Sequence, residues 1–215
     1  MTSFAGGVSA IGLGLAAVLT IACVPANFLP AAIAKGEIHN LSSPAEVIEE
    51  VVANKPYATC KLLVKASPEQ VWKVLTDYDN ATYVFPNLKK CQVLEDHGST
   101  KIVNHEVNPS GLPGTFKYVL QVKETAPTCL EWHRLRGDFR EVDGYWKLEP
   151  VENGRSTLVT YSSHVNAGFF IPYALVRRQM RIDMPGVMAQ LKEHAEAETS
   201  VAKIAGRPEQ QERHN

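Results

Sequence analysis

His105, Glu106, Tyr118 and Asp183 are the residue types a general acid–base step needs, and they come from three separate segments of the chain. The remaining central histidines stand singly, at positions 97, 133, 164 and 194. Strand parity places His133 and His164 opposite the apolar positions of their segments, facing solvent, and leaves the direction of His105 open. The chain contains no GxSxG, no HExxH and no Walker motif. No catalytic residue is therefore assigned. Cys60, Cys91 and Cys129 include no CxxC pair, so their spacing supports neither a zinc site nor a disulfide scaffold, and they read as small buried apolar residues. No metal and no cofactor is called for.

These side chains need elements to position them. Ala66-Ser67-Pro68-Glu69-Gln70-Val71-Trp72 begins a short amphipathic helix: Ser67 is the N-cap, Pro68 suits the first turn, and Gln70 completes a capping box. Alternation over 57–64 predicts a half-buried strand before it, and Asp79 to Asn87 predicts a second short helical turn ended by Pro86. Segments 88–94, 100–107, 115–124, 128–135, 142–148 and 157–165 then read as strands. Glu152-Asn153-Gly154-Arg155 marks a hairpin. Residues 171–199 read as one long helix with Leu175, Val176, Met180, Ile182, Val187, Leu191 and His194 on its apolar side. Pro185-Gly186 is expected to kink or break it. Ser43-Pro44-Ala45-Glu46 looks like a helix start within a polar lead-in, residues 35–55, and residues 199–215 read as a polar, disordered tail.

Bulk composition bounds the function. A formal net charge of −1 over 215 residues, without a basic stripe carrying interleaved aromatics, excludes a nucleic-acid partner. The first 34 residues differ from the rest: Phe4 to Ala34 carries no charge. Ala32-Ile33-Ala34 fits the small-residue rule for signal cleavage, although no Lys or Arg precedes the apolar core. An uncleaved anchor is the competing reading, since the core from Val8 to Val24 is at the lower edge of a spanning helix. A lipid-modified Cys23 is a third. Each puts the following domain at or beyond a membrane, secreted or tethered on the extracytoplasmic side.

The order strand, two short helices, six strands and a long C-terminal helix resembles the START-like helix-grip (SRPBCC) superfamily, in particular its polyketide cyclase/dehydrase and coenzyme Q-binding type. The residues that carry the resemblance are Ala66 to Trp72, Leu75-Thr76-Asp77-Tyr78, Phe85-Pro86-Asn87, Gly137-Asp138-Phe139, Gly144 to Pro150 and Ile171-Pro172. It spans residues 56–198. It implies an α+β fold in which a curved antiparallel sheet of about seven strands wraps the long helix around a hydrophobic cavity. It also makes Arg136-Gly137-Asp138, which spells an integrin-binding tripeptide, an ordinary turn.

What the resemblance implies for function is a cavity that binds and carries a hydrophobic small molecule, a lipid, a quinone or similar. The expected wall is Leu62, Val64, Phe85, Phe116, Tyr118, Leu120, Trp132, Trp146, Tyr161, Met180 and Met184, with His105, Tyr118 and Tyr161 as its polar groups. Phe169 and Phe170, in an unusually aromatic helix entry, are the expected gate. With Arg177, Arg178 and Arg181 nearby, they would favour contact with a membrane surface. Two alternatives stay open: an aromatase/cyclase-type enzyme acting in the same cavity, and an interaction module whose cavity is filled.

Overall fold

The computed structural model describes residues 46–169 and 171–205, with side chains to residue 199. The segment expected to be cleaved or membrane-anchored, Phe170 and the polar tail from Gly206 lie outside the described residues. Eight antiparallel strands form one sheet in the order β1-β2-β8-β7-β6-β5-β4-β3. They are β1 (Val47–Val52), β2 (Lys55–Val64), β3 (Leu88–Asp96), β4 (Thr100–Val107), β5 (Phe116–Thr125), β6 (Cys129–Gly137), β7 (Glu141–Val151) and β8 (Ser156–Asn166). Two short helices, α1 (Pro68–Thr76) and α2 (Ala81–Val84), follow β2, and α3 (Tyr173–Ala205) closes the chain. This is the helix-grip arrangement.

The eighth strand is β1, where a short helix was expected. Its sequence, Val-Ile-Glu-Glu-Val-Val, is rich in β-branched residues that favour an extended backbone. Val52 pairs with Lys55, so Ala53 and Asn54 form a two-residue hairpin turn, and both take positive φ, 49° and 62°. The capping signal of α1 holds in detail: Ser67 Oγ accepts from the Gln70 amide at 3.4 Å, and Gln70 Oε1 accepts from the Ser67 amide at 2.9 Å.

Helix α3 runs unbroken through Pro185, against the expected interruption. The carbonyl that loses its partner there belongs to Arg181, an exposed residue, so water can satisfy it. The buried face of α3 is Val176, Gln179, Met184, Met188, Leu191 and Ala195, whereas Leu175 and Ile182 are exposed. His164 is also buried, not solvent-facing. Its Nδ1 lies 2.8 Å from the Pro56 carbonyl oxygen, and its ring tilts against Tyr57 on the neighbouring strand.

The packed core lies where α3 rests on β2 and β8 and α1 packs against α3, β7 and β8. Cys60, Leu62, Val64, Val71, Val159, Met188 and Leu191 meet there, together with Leu148 from β7. Cys60 and Cys91 are free thiols. Among the described residues, no helix is long and apolar enough to cross a membrane.

Candidate functional site

Strands β4, β5 and β6 curve away from the part of α3 that rests on β2, and the space between is hollow. The cavity measures about 280 Å³. Side chains therefore do not fill it, which removes the premise of the filled-cavity interaction module. Of the expected wall, Phe85, Tyr118, Leu120, Trp132, Trp146, Tyr161, Met180 and Met184 line it, as does His105.

Three expected wall residues are elsewhere. Leu62 and Val64 sit on the inner face of β2, but α3 covers that strand and they belong to the packed core. Phe116 has the inward parity, yet its ring stacks on Phe139 at 5.0 Å, and Phe139 takes the lining position.

The placement of Phe139 follows from the Gly-Asp pair before it. Gly137 has φ +128°, and a Cβ there would meet Tyr118 Cα and the Lys117 carbonyl oxygen, each at 2.4 Å. Only glycine lets β6 approach β5 so closely. Asp138 then clamps the junction. Its Oδ2 accepts from the Lys117 amide at 2.7 Å, and its own amide donates to the Lys117 carbonyl at 2.8 Å. The register shift between Val119 and Leu120 re-aims the chain inward. The tripeptide is thus a structural junction, and Phe139 was the lining residue that strand alternation missed.

One wall is aromatic. Trp146 and Tyr161 are directly paired across β7 and β8, and their rings stack at 4.1 Å and 11°. Phe85 stacks on Trp146 at 6.5 Å, and Trp132 tilts against Tyr161 at 6.0 Å. Trp132 is paired with Gly144, and a Cβ at Gly144 would lie 2.3 Å from the indole. Glycine there leaves the indole room to lie flat on the sheet.

The opposite wall holds polar groups. Register sets Cys91, His105 and Tyr118 side by side across β3, β4 and β5. His105 Nε2 lies 3.5 Å from Cys91 Sγ, and the His105 and Tyr118 rings meet edge-on at 5.7 Å. Burial pushes His105 down to about 4, so the imidazole is neutral near pH 7. Burial likewise raises the Tyr118 and Tyr161 phenols and pushes the Cys91 thiol up to about 12. The Tyr118 hydroxyl has no hydrogen-bond partner among the described residues and stands open to the cavity. Tyr78 also lines the space, but its hydroxyl is committed to Glu124 Oε1 at 2.7 Å.

Of the acid–base candidates, Glu106 points away from the cavity and pairs with Lys117 at 3.4 Å, because it adjoins inward-facing His105 on its strand. Asp183 lines the mouth, where its Oδ2 accepts from Gln179 Nε2 at 3.0 Å and from the Ser110 amide at 3.3 Å. The Ser110 contact ties the 108–114 loop to α3, and Pro109 and Leu112 of that loop face inward. At the helix entry Phe169 is 96% exposed, while Ala167 and Ile171 on either side of it line the cavity. Two of the three nearby arginines are engaged: Arg177 and Arg181 both donate to Glu49 of β1. Among the described residues, no three His, Cys, Asp or Glu side chains converge as metal ligands.

A single long helix gripped by a curved antiparallel sheet, with an apolar hollow between them, defines a helix-grip domain. The chain matches the family described as polyketide cyclase/dehydrase and lipid transport over residues 64–192, and it belongs to that family. Solved structures agree on the fold. Human STARD10 is 10% identical with a TM-score of 0.61, the match covering 75% of this chain and 73% of that one. A STAR-related lipid transfer protein from Xanthomonas axonopodis is 19% identical with a TM-score of 0.59, over 72% and 94%. The Zhui aromatase/cyclase from a Streptomyces species is 16% identical with a TM-score of 0.56, over 64% and 92%. No protein of curated function matches the sequence.

Proposed function

We propose that the protein binds and carries a hydrophobic small molecule in this cavity, as an exported or membrane-tethered domain. The observation that carries the reading is the unfilled hollow of about 280 Å³, walled by Trp132, Trp146, Tyr161, Phe85 and methionines. Interiors close-pack where nothing is held, so an apolar hollow beside a packed core favours a guest. Burial of the guest's apolar surface supplies affinity at about 25 cal/mol per Å², less the costs of association. Its size, just below the usual range of ligand pockets of about 300–1,000 Å³, favours one ring system or one short chain over a two-chain lipid. The charge-free segment 4–34 supports delivery to a membrane, and exposed Phe169 beside the cavity lining supports contact with its surface.

Native mass spectrometry with organic extraction, on the full chain from its host's membrane fraction, tests the reading. One apolar molecule per chain is the expected result. An empty protein that takes up neither lipids nor quinones overturns it. Trp132→Ala is expected to weaken ligand retention more than it lowers thermal stability.

One observation favours a second reading, an aromatase/cyclase-type enzyme. His105 is a neutral imidazole inside the cavity beside Tyr118, and it could take a proton from a bound substrate. Turnover of a poly-ketone substrate, lost in His105→Gln with binding retained, would establish that reading.

A further inference from the structure

The charge inventory of the cavity narrows what it can hold. No Lys or Arg lines it among the described residues. Asp183 is the one lining carboxylate among the described residues, and it accepts hydrogen bonds from the uncharged Gln179 amide and the Ser110 backbone amide. Among the described residues, His105 is the one group on the wall able to become a cation, and burial keeps it neutral near pH 7. The remaining polar groups that face the hollow include the phenols of Tyr118 and Tyr161, and the Tyr118 hydroxyl has no hydrogen-bond partner among the described residues.

An anionic head entering this space would leave water, meet no countercharge among the lining side chains and have to pass the half-buried Asp183 carboxylate at the mouth. An uncharged hydroxyl or carbonyl has the opposite prospect, since an unpartnered phenol and a neutral imidazole can both donate to it or accept from it. Resting on the carrier reading above, we infer that the cavity selects an uncharged ligand bearing a hydroxyl or carbonyl, held at Tyr118 and His105, and that Asp183 excludes carboxylate and phosphate anions. Free fatty acids are thereby excluded as cargo, although their chains are apolar enough for the wall.

Two probes that share one ring skeleton test this: naphthalene methanol and naphthoate, titrated calorimetrically into the purified full-length chain at neutral pH. The alcohol is expected to bind at least tenfold more tightly. Tyr118→Phe, which removes one hydroxyl and keeps the ring, is expected to weaken the alcohol about fivefold. Asp183→Asn is expected to tighten naphthoate at least fivefold, with circular dichroism and the melting temperature confirming that the variant folds.

Equal or tighter binding of naphthoate by the unmodified chain overturns the inference and leaves the carrier reading standing. A preference for the alcohol that is unchanged in Asp183→Asn overturns the role of Asp183. Failure of both probes to bind, together with an empty protein by mass spectrometry, overturns the carrier reading and the inference with it.

Discussion

The two ends of the interior differ although the same sheet and the same helix bound both. Where α3 lies on β2 and β8, side chains interlock: Val64, Val71, Val159 and Leu191 are all essentially inaccessible. Where β4, β5 and β6 curl away from the helix, the same apolar residue types face an open space. Composition does not separate the two ends. The larger residues are at the hollow end, which two tryptophans, three tyrosines and two phenylalanines line. The hollow therefore comes from sheet curvature and from rings laid flat against the wall, Trp146 on Tyr161 and Trp132 over Gly144, rather than from small side chains. A rigid stacked wall cannot collapse inward to fill the gap.

The comparison makes quantitative demands. The largest effect is expected at the packed end. Leu191→Ala should cost about 2–5 kcal/mol, because the site is close-packed and cannot relax, with m-values unchanged in urea unfolding. A cost under about 1 kcal/mol would mean that this end is as loose as the other.

Next comes the pH response of the hollow end. His105 has its folded value pushed down to about 4 from 6.5, so the unfolded chain binds the proton more readily. Stability from this group is full above about pH 6.5, falls as pH drops towards 4, and changes by about 3 kcal/mol at most. Urea titrations at several pH values should show a shallower slope over that window in His105→Gln. An unchanged slope would show that the imidazole is solvated in the native state.

A somewhat smaller cost is expected from Gly144→Ala. The new methyl would lie 2.3 Å from the Trp132 indole and 2.5 Å from the Ser162 carbonyl oxygen. Overpacking of this kind costs about 1–3 kcal/mol and should shift tryptophan emission as the indole lifts from the sheet. Unaltered emission would show that the wall is more pliant than its stacking suggests.

Met180→Ala should be the mildest, under about 1.5 kcal/mol against about 2–5 for a close-packed methionine, since Met180 already borders open space. Thermal melts of this variant beside Leu191→Ala read the contrast directly.

Local signals in the sequence were legible where they act over a few residues. The Ser67 cap and its Gln70 box, the alternation of 116–122 and the hairpin at 152–155 are determined by backbone hydrogen bonding and side-chain period alone. Legibility stopped where partners decide. Residues 47–52 read as the start of a helix because Val47, Ile48, Val51 and Val52 fit a helical stripe, until pairing with β2 claimed them. His164 read as exposed because alternation assumes that one face of a strand is wet. Phe139 was invisible as a wall residue because the Gly137 junction that re-aims it needs β5 alongside.

By itself, then, the sequence determined the elements from β2 onward, their order and the family to which they belong, since caps, periods and turn residues are local properties. Only the tertiary structure decided that inward-facing Leu62 and Val64 are covered while Tyr118 and Trp132 border open space. It also decided that Asp183, distant in sequence from His105, stands at the mouth of the same cavity. The reason is geometric. A strand's period tells which face a side chain takes, but only the curvature of the whole sheet against α3 sets how far that face stands from what it meets.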